Sequence, residues 1–378
     1  MNTTKRLVSL DTFRGLTVAA MILVNNPGNW GALYPPLRHA NWHGCTPTDL
    51  IFPFFLFIVG VAITFSLGSR KREISNHKSL VGSIIKRTVI LFALGLILAL
   101  FPLVLTDPLE ALKTVRIPGV LQRIALVFFA TAIIFLKMGW KAQAGIFAGL
   151  LGLYWILLTQ VPVPGIGPAN FDPDTNLGAW LDRVVFGESH LWQQSKTWDP
   201  EGLLGTLPAI ATCLSGVLTG QLVKSKRIAN GSKLMSMFGA GIVFLSAAIW
   251  WDDSFPINKA LWTSSYVLYT SGFAMLLFAI LYGVIDLKGY ETWTKPFVFY
   301  GVNAITVFFL SSIMAKSMNA IKITAAGEEV SLKTWIYTSV YTPYLSPLNA
   351  SLAWAFTFVF IWMLILWWMY SKKIIIKV

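Results

Sequence analysis

Two histidines, His39 and His43, sit in the short stretch LRHANWHGCTPTDLIF between two apolar runs. Imidazole titrates near neutrality, so it can act as general base, nucleophile or metal ligand. Asn25 closes the apolar run before them and Asp49 opens the one after, so both can face His39. An amide there can orient a histidine or donate to a developing oxyanion. The H-x-x-x-H spacing lacks the glutamate of a zinc-protease motif, and no third ligand is in view, so no metal is expected. The plain alternative for His39 is a loop histidine with no chemical task.

Other ionisable residues lie where charge is costly. Asp11 and Arg14 are three apart in the first apolar run, hence neighbours on one helical face. They read as ligand groups or as an ion pair reaching back to the interface. Arg123 lies five residues past Pro118, about 7–8 Å into a helix of 1.5 Å rise. In RIPGVLQRIA, Arg116, Gln122 and Arg123 can meet a phosphate or carboxylate, or form a structural pair with Asp49 or Glu201. Asp199-Pro-Glu-Gly opens a later run, where Asp199 suits a helix cap and Glu201 is less easily explained. Asn258 and Lys259, in FPINKALW, can bind an anion at a helix start. Asn303 lies inside an apolar run and needs a partner, from substrate or from a packed helix.

The elements that position these residues are membrane helices. The chain has 378 residues, 55% hydrophobic and only 12% charged, against about one quarter charged in soluble domains. Ten runs reach spanning length, at about 8–26, 47–68, 86–105, 118–136, 143–160, 203–222, 234–251, 261–284, 297–316 and 351–370. The expected fold is an all-α integral membrane bundle of about ten helices, eleven at most, in a single transmembrane domain over 1–378. The first run carries charges and no cleavage site, so it reads as a retained helix. With the N-terminus in the cytoplasm, most Lys and Arg fall on the inner side, so both termini are expected inside. That puts the extracytoplasmic loops at about 27–46, 161–202 and 317–350. The net charge of +13 thus sets topology rather than marking a nucleic-acid partner. Cys45, in a loop, and Cys213, in mid-helix, are not expected to pair. No nucleotide-binding or nucleophile-elbow motif is present.

Six ordered stretches carry a resemblance: RLVSLDTFRGLTVAAMILVNN, HANWHGCTPTDLIFPFFLFIVG, RIPGVLQRIA, DPEGLLGTLPAI, FPINKALWTSSYVLY and GVNAITVFF. Together they resemble the heparan-alpha-glucosaminide N-acetyltransferase family, including its bacterial relatives. The resemblance implies acetyl transfer from cytoplasmic acetyl-CoA to a terminal glucosamine across the membrane. It implies a catalytic His39 with Asn25 as its partner, and carries no role to His43. Arg14, Lys86, Arg87, Arg123, Asn258 and Lys259 are candidates for holding acetyl-CoA. Asp49, Glu201, Trp42 and Asn303 are candidates for the amino-sugar acceptor. The family's lysosomal member has a further N-terminal lumenal region that is not seen here, which favours a bacterial inner membrane.

Other readings stay open. One is a membrane acyltransferase with a cell-envelope glycan or lipid-linked acceptor. Another is a secondary transporter using Asp11, Arg14, Asp49 and Arg123 as an ion pathway. A third is a membrane scaffold without catalysis. A homodimer is compatible with the sequence.

Overall fold

The computed structural model describes residues 7–68, 71, 77–325 and 327–376. Lys5, Arg6, Arg70, Arg72 and Lys377, read above as cytoplasmic flanks, lie outside the described residues. Apolar runs in lipid must satisfy every backbone N–H and C=O internally, so they fold as helices. In chain order these are α1 (Val8–Asn25), α2 (Ile51–Leu67), α3 (His77–Leu100), α4 (Pro108–Thr114), α5 (Val120–Lys137), α6 (Trp140–Gln160) and α7 (Leu177–Phe186). There follow α8 (Thr206–Lys224), α9 (Asn230–Asp252), α10 (Ser264–Leu281, then a π turn to Leu287), α11 (Lys295–Val302) and α12 (Ala304–Ala320). A hairpin, β1 (Lys322–Ala325) and β2 (Glu328–Ser331), leads to α13 (Leu332–Val340) and α14 (Pro347–Ser371). Among the described residues, 9 helices are long and apolar enough to cross a membrane, and α11 with α12 makes a bent tenth. The protein is an all-α, multi-pass membrane protein.

Contacts between chain segments repeat the expected alternation. At one end, Asp286 after α10 accepts the N–H groups of Val8 and Ser9, both at 3.2 Å, at the start of α1. Lys224, closing α8, donates to Thr64 O near the end of α2 at 3.2 Å. Lys71 donates to Phe135 O at the end of α5. At the other end, Gly28 N donates to Ser351 O at 3.2 Å and Gly44 N to Ile257 O at 2.7 Å. The first end carries the basic flanks and is called inner below; the second is outer.

The structure departs from the sequence reading at four places. α3 begins at His77 instead of 86, because Leu80, Ile84 and Leu91 bury at helical spacing and draw the amphipathic first turns into the bundle. Lys86 and Arg87 therefore lie on the helix body, about 13–15 Å from its start. α8 begins at Thr206 and α10 at Ser264, so Asp199, Asn258 and Lys259 sit in the turns before the helices and cap neither. The ninth span breaks by 69° at Asn303, whose backbone leaves the helical region. The two long outer loops hold local structure, α7 in one and the hairpin with α13 in the other.

Close helix packing rests on glycine. A Cβ on Gly15 of α1 would lie 1.7 Å from Phe297 O of α11, and one on Gly301 2.1 Å from Asp11 O. Between α2 and α8, a Cβ on Gly60 would lie 1.9 Å from Cys213 O, and one on Gly216 2.0 Å from Phe57 O. These backbones touch, as in small-residue packing of membrane helices. Gly60→Ala should force α2 and α8 apart and destabilise the protein by roughly 1–3 kcal/mol. Gly239→Ala, which meets nothing within 4 Å, should leave stability unchanged or raise it. Thermal melts in detergent test the contrast, and equal melting temperatures for the two variants would refute the contact.

Candidate active site

The segment Thr46-Pro47-Thr48-Asp49 folds locally as a capping box. Thr46 and Asp49 exchange hydrogen bonds, and Pro47 needs no N–H partner. Asp49 is thereby buried at the outer start of α2, with 1% exposure. Its Oδ2 accepts from Ala40 N, Thr46 N and Thr46 Oγ1, each at 3.0 Å. Its Oδ1 lies 2.6 Å from His39 Nδ1. A carboxylate so placed holds the imidazole with its proton on Nδ1 and leaves Nε2 with the lone pair. The His39 side chain is half exposed at the outer surface.

Lys259 completes this group. Its Nζ lies 3.1 Å from His39 Nδ1, 3.3 Å from Nε2 and 3.8 Å from Asp49 Oδ1. Burial pushes the Lys259 ammonium below the ordinary lysine range, against the pull of Glu201 and Asp49. Asn258 is turned inward: its Oδ1 accepts from Leu261 N at 2.8 Å, and its Nδ2 lies 3.5 Å from His43 Nδ1. His43 thus ties the histidine loop to the 257–261 turn. Cys45 is no rival nucleophile, since burial and then Asp49 push its thiol up to about 12.

The remaining outer candidates divide into two groups. Asn25 ends α1 exposed, and among the described residues its side chain forms no hydrogen bond. Trp42 donates from Nε1 to Phe171 O at 2.8 Å. Arg116 is committed to carboxylates: its Nε and Nη2 grip Asp199, at 2.8 and 2.5 Å, and Nη2 also meets Glu201 at 2.5 Å. Burial raises Asp199, whereas on Glu201 burial is outweighed by Arg116 and Arg123. Arg123 is buried beside this cluster and donates from Nη2 to Gly202 O at 2.7 Å. The sequence reading passed over Asp182 of α7, which accepts from Leu203 N at 2.8 Å. The signal was available: α7 is amphipathic behind an Asn176 cap, and Asp182 lies on its buried side with Ala179.

The inner candidates meet in a cavity open to solvent, of about 1370 Å³ when the open mouth is counted. Arg14, Asp11 and Arg87 line it, with Ser66, Val59 and Phe55 along α2. Ser66 to Phe55 covers about 16 Å of helix. Arg14 reaches Asp11 at 3.4 Å and Gly301 O at 3.2 Å. Arg87 lies over Phe128, 4.7 Å from the ring centre, and its buried Nε has no hydrogen-bond partner among the described residues. Lys86 is exposed and does not line the cavity. Asn303 also lies toward this end, donating to Ile374 O at 3.1 Å and accepting from Ile376 N at 3.0 Å. A small gap beside it, with room for about one water, shares Phe55, Ala304 and Ile305 with the first and is lined by Phe52, three residues from Asp49.

Arg116→Leu would leave two buried carboxylates without their cation, so the outer cluster should lose about 3–5 kcal/mol. A melting temperature within a degree of wild type would contradict that pairing. Burial pushes Asp182 up to about 7, against the Leu203 N–H, while the unfolded group titrates near 3.8. The fold therefore holds this proton the tighter, and the resulting stability is full below about pH 4 and lost as pH rises through about 7. Asp182→Asn should gain on wild type in melting temperature from about pH 4 to about pH 7, and a constant difference would refute the buried acid.

A family model described as "Heparan-alpha-glucosaminide N-acetyltransferase, catalytic" matches residues 6–243. That stretch includes His39, Asp49, Arg87 and the Arg116 cluster. The chain is 32% identical over 352 residues to the human protein named heparan-alpha-glucosaminide N-acetyltransferase, covering 80% of this chain and 52% of that one. It is 33% identical over 356 residues to the mouse protein of the same name, covering 80% and 53%. The chain spans about half the length of the curated relatives it matches. With more than half of its residues inside the family model and the histidine loop set on a multi-pass helical bundle, the chain belongs to the heparan-alpha-glucosaminide N-acetyltransferase catalytic family.

Proposed function

We propose that the protein transfers the acetyl group of cytoplasmic acetyl-CoA to the amine of a terminal glucosamine, or a related amino sugar, on the outer side of the membrane. One observation carries the reading. A large cavity with two arginines opens at the inner end and reaches Phe55 of α2, six residues along the chain from the carboxylate that holds an outward-facing histidine.

The inner cavity suits the donor in chemistry. Arg14 and Arg87 offer cations to the phosphates, and the unmet Nε of Arg87 is a donor in want of an anion. The apolar wall of Val59, Ile63, Phe55 and Ala304 suits an uncharged arm threading outward. Lys86, Asn258 and Lys259 fit this role less well, the first for facing away and the others for lying at the outer end. Asn303 and its bound tail flank the donor cavity, so we assign it no acceptor contact.

The thioester supplies an activated acetyl carbon. His39 Nε2 takes a proton from the acceptor ammonium, which frees the amine to attack, or from the amine as it attacks, while Asp49 on Nδ1 steadies the imidazolium that forms. The new C–N bond forms as the C–S bond breaks, and the departing thiolate takes up a proton. The Lys259 ammonium, beside the imidazole, offsets the charge of Asp49 and is placed to steady the oxyanion, with Asn25 as a second donor from the end of α1. If His39 itself carries the acetyl group, the same residues serve both halves of the transfer. The home membrane in this reading is a cytoplasmic one, such as a bacterial inner membrane, with acetyl-CoA on the side of the basic flanks.

Purified protein in detergent, given labelled acetyl-CoA and glucosamine, tests this. His39→Ala should lower turnover by about 10²–10⁴-fold, while thermal stabilisation by acetyl-CoA persists. Arg87→Ala should raise the KM for acetyl-CoA about tenfold or more, as expected for a lost charged hydrogen bond, with little change in the KM for glucosamine. Full turnover by His39→Ala would overturn the reading, as would solute movement without consumption of acetyl-CoA.

A further inference from the structure

The resting site already holds a primary amine. With the His39 Nδ1 proton given to Asp49, Nε2 is the ring atom that accepts, and Lys259 Nζ stands 3.3 Å from it. A group of the protein itself thus occupies the place where the acceptor's ammonium must come. The backbone fixes it there. Asn258 Oδ1 accepts from Leu261 N at 2.8 Å and Lys259 O from Trp262 N at 3.1 Å, which closes a turn around Lys259. Trp262, wholly buried, holds that turn at a φ of 56°, in the left-handed region that a bulky side chain rarely adopts. Gly44 N, from the histidine loop, donates to Ile257 O at 2.7 Å and ties the turn to the loop. The Lys259 side chain keeps 21% exposure, so the site is open to an incoming group.

The surroundings decide whether that nitrogen is an ammonium or a nucleophile. His39 and Cys45 of the loop, Asp49 at the start of α2, Glu201 before α8 and Arg123 of α5 all act on Nζ. Glu201 and Asp49 favour its charge, burial opposes it more strongly, and Lys259 sheds its proton more readily than an exposed lysine does. Only the free amine attacks a thioester, and an imidazole 3.3 Å away is placed to take the proton. An acetyl carbon brought up to Nε2, or carried on it, comes within reach of Nζ as well.

We propose that Lys259 is an internal acceptor: with acetyl-CoA bound and no amino sugar present, its amine takes the acetyl group and the site shuts itself off. The proposal rests on the acetyltransferase reading and adds to it a site of self-modification. The Lys259 ammonium loses one proton through His39 Nε2 to water. The freed nitrogen attacks the thioester carbon, the C–N bond forms as the C–S bond breaks, and the second proton from nitrogen ends on the departing thiol. The product is an uncharged amide. Its nitrogen is no longer basic, so the acetyl group does not pass on to a sugar, and Asp49 loses the cation beside it. During turnover the ammonium form steadies the oxyanion; the free-amine form competes with the sugar.

Peptide mass spectrometry of the wild type in detergent, after incubation with deuterium-labelled acetyl-CoA and no glucosamine, tests this. Lys259 should carry one labelled acetyl group, and turnover measured afterwards should fall in proportion to the modified fraction. Glucosamine present in the incubation should suppress the label as its concentration rises. In His39→Ala, labelling of Lys259 should drop about tenfold or more, while that of the exposed Lys196 stays at the wild-type level. An unlabelled Lys259 in protein that acetylates glucosamine would overturn the proposal and leave the acetyltransferase reading standing. Equal labelling of Lys259 and Lys196, indifferent to glucosamine, would overturn it too, as the mark of unassisted chemistry. If neither glucosamine nor Lys259 gains an acetyl group, the acetyltransferase reading fails and takes the internal acceptor with it. If His39→Ala misfolds, protection of the wild type by glucosamine decides alone.

Discussion

The buried carboxylate of Asp49 is the constraint on which the outer half of the protein depends. A carboxylate taken out of water must be fully hydrogen-bonded, or it destabilises the fold by several kcal/mol. Here the partners are Ala40 N, Thr46 N, Thr46 Oγ1 and the His39 ring, all from one loop. The Asp49 backbone carbonyl accepts from Tyr266 OH, which joins the same turn to α10. Satisfying the charge therefore closes the loop, and closing the loop aims the histidine. Folding and the chemistry of His39 are one requirement at this place.

Away from Asp49, the two ends of the bundle are built differently. The outer end is crowded with paired charges: Arg116 with two carboxylates, Lys259 against His39 and Asp49. The inner cavity is roomier, with Arg14 and Arg87 on walls that are otherwise largely aliphatic and aromatic. Between them, α2 and α8 touch backbone to backbone at Gly60 and Gly216, and α1 and α11 at Gly15 and Gly301. The first of these tight seams holds α2 in place as the common rail from one end to the other. Phe52 and Phe55 near its outer end and Ser66 near its inner end all line cavities.

Much of this was legible in the sequence, for a physical reason. A membrane span is a local pattern, about 20 apolar residues bounded by polar ones, so all ten runs became helical, α6 among them. His39 and Asp49 stood out because charge is rare so near lipid. Tertiary pairing was harder to read. Nothing local in RIPGVLQRIA says that Arg116 takes Asp199 and Glu201, 83 and 85 residues away, while Arg123 keeps two N–H groups unmet. Asp182 was passed over because its amphipathic helix is too short to register as a span. The break at Asn303 has no proline to announce it, and the partners of its amide lie 71 and 73 positions further on.

That bond has a mechanical meaning. The Asn303 amide clips the chain after α14 by both a donor and an acceptor, in the manner of one rung of a sheet. Ile375 and Ile376 are thereby pressed into the wall of the inner cavity, opposite Arg87 and Phe128. The cavity rim is thus made of α1, α2, α3, α5, the α11–α12 elbow and the chain's final described residues, latched at one amide. The rim cannot widen on that side by fraying of the tail alone. Either both bonds exchange to water together, or the elbow and the tail swing as one body.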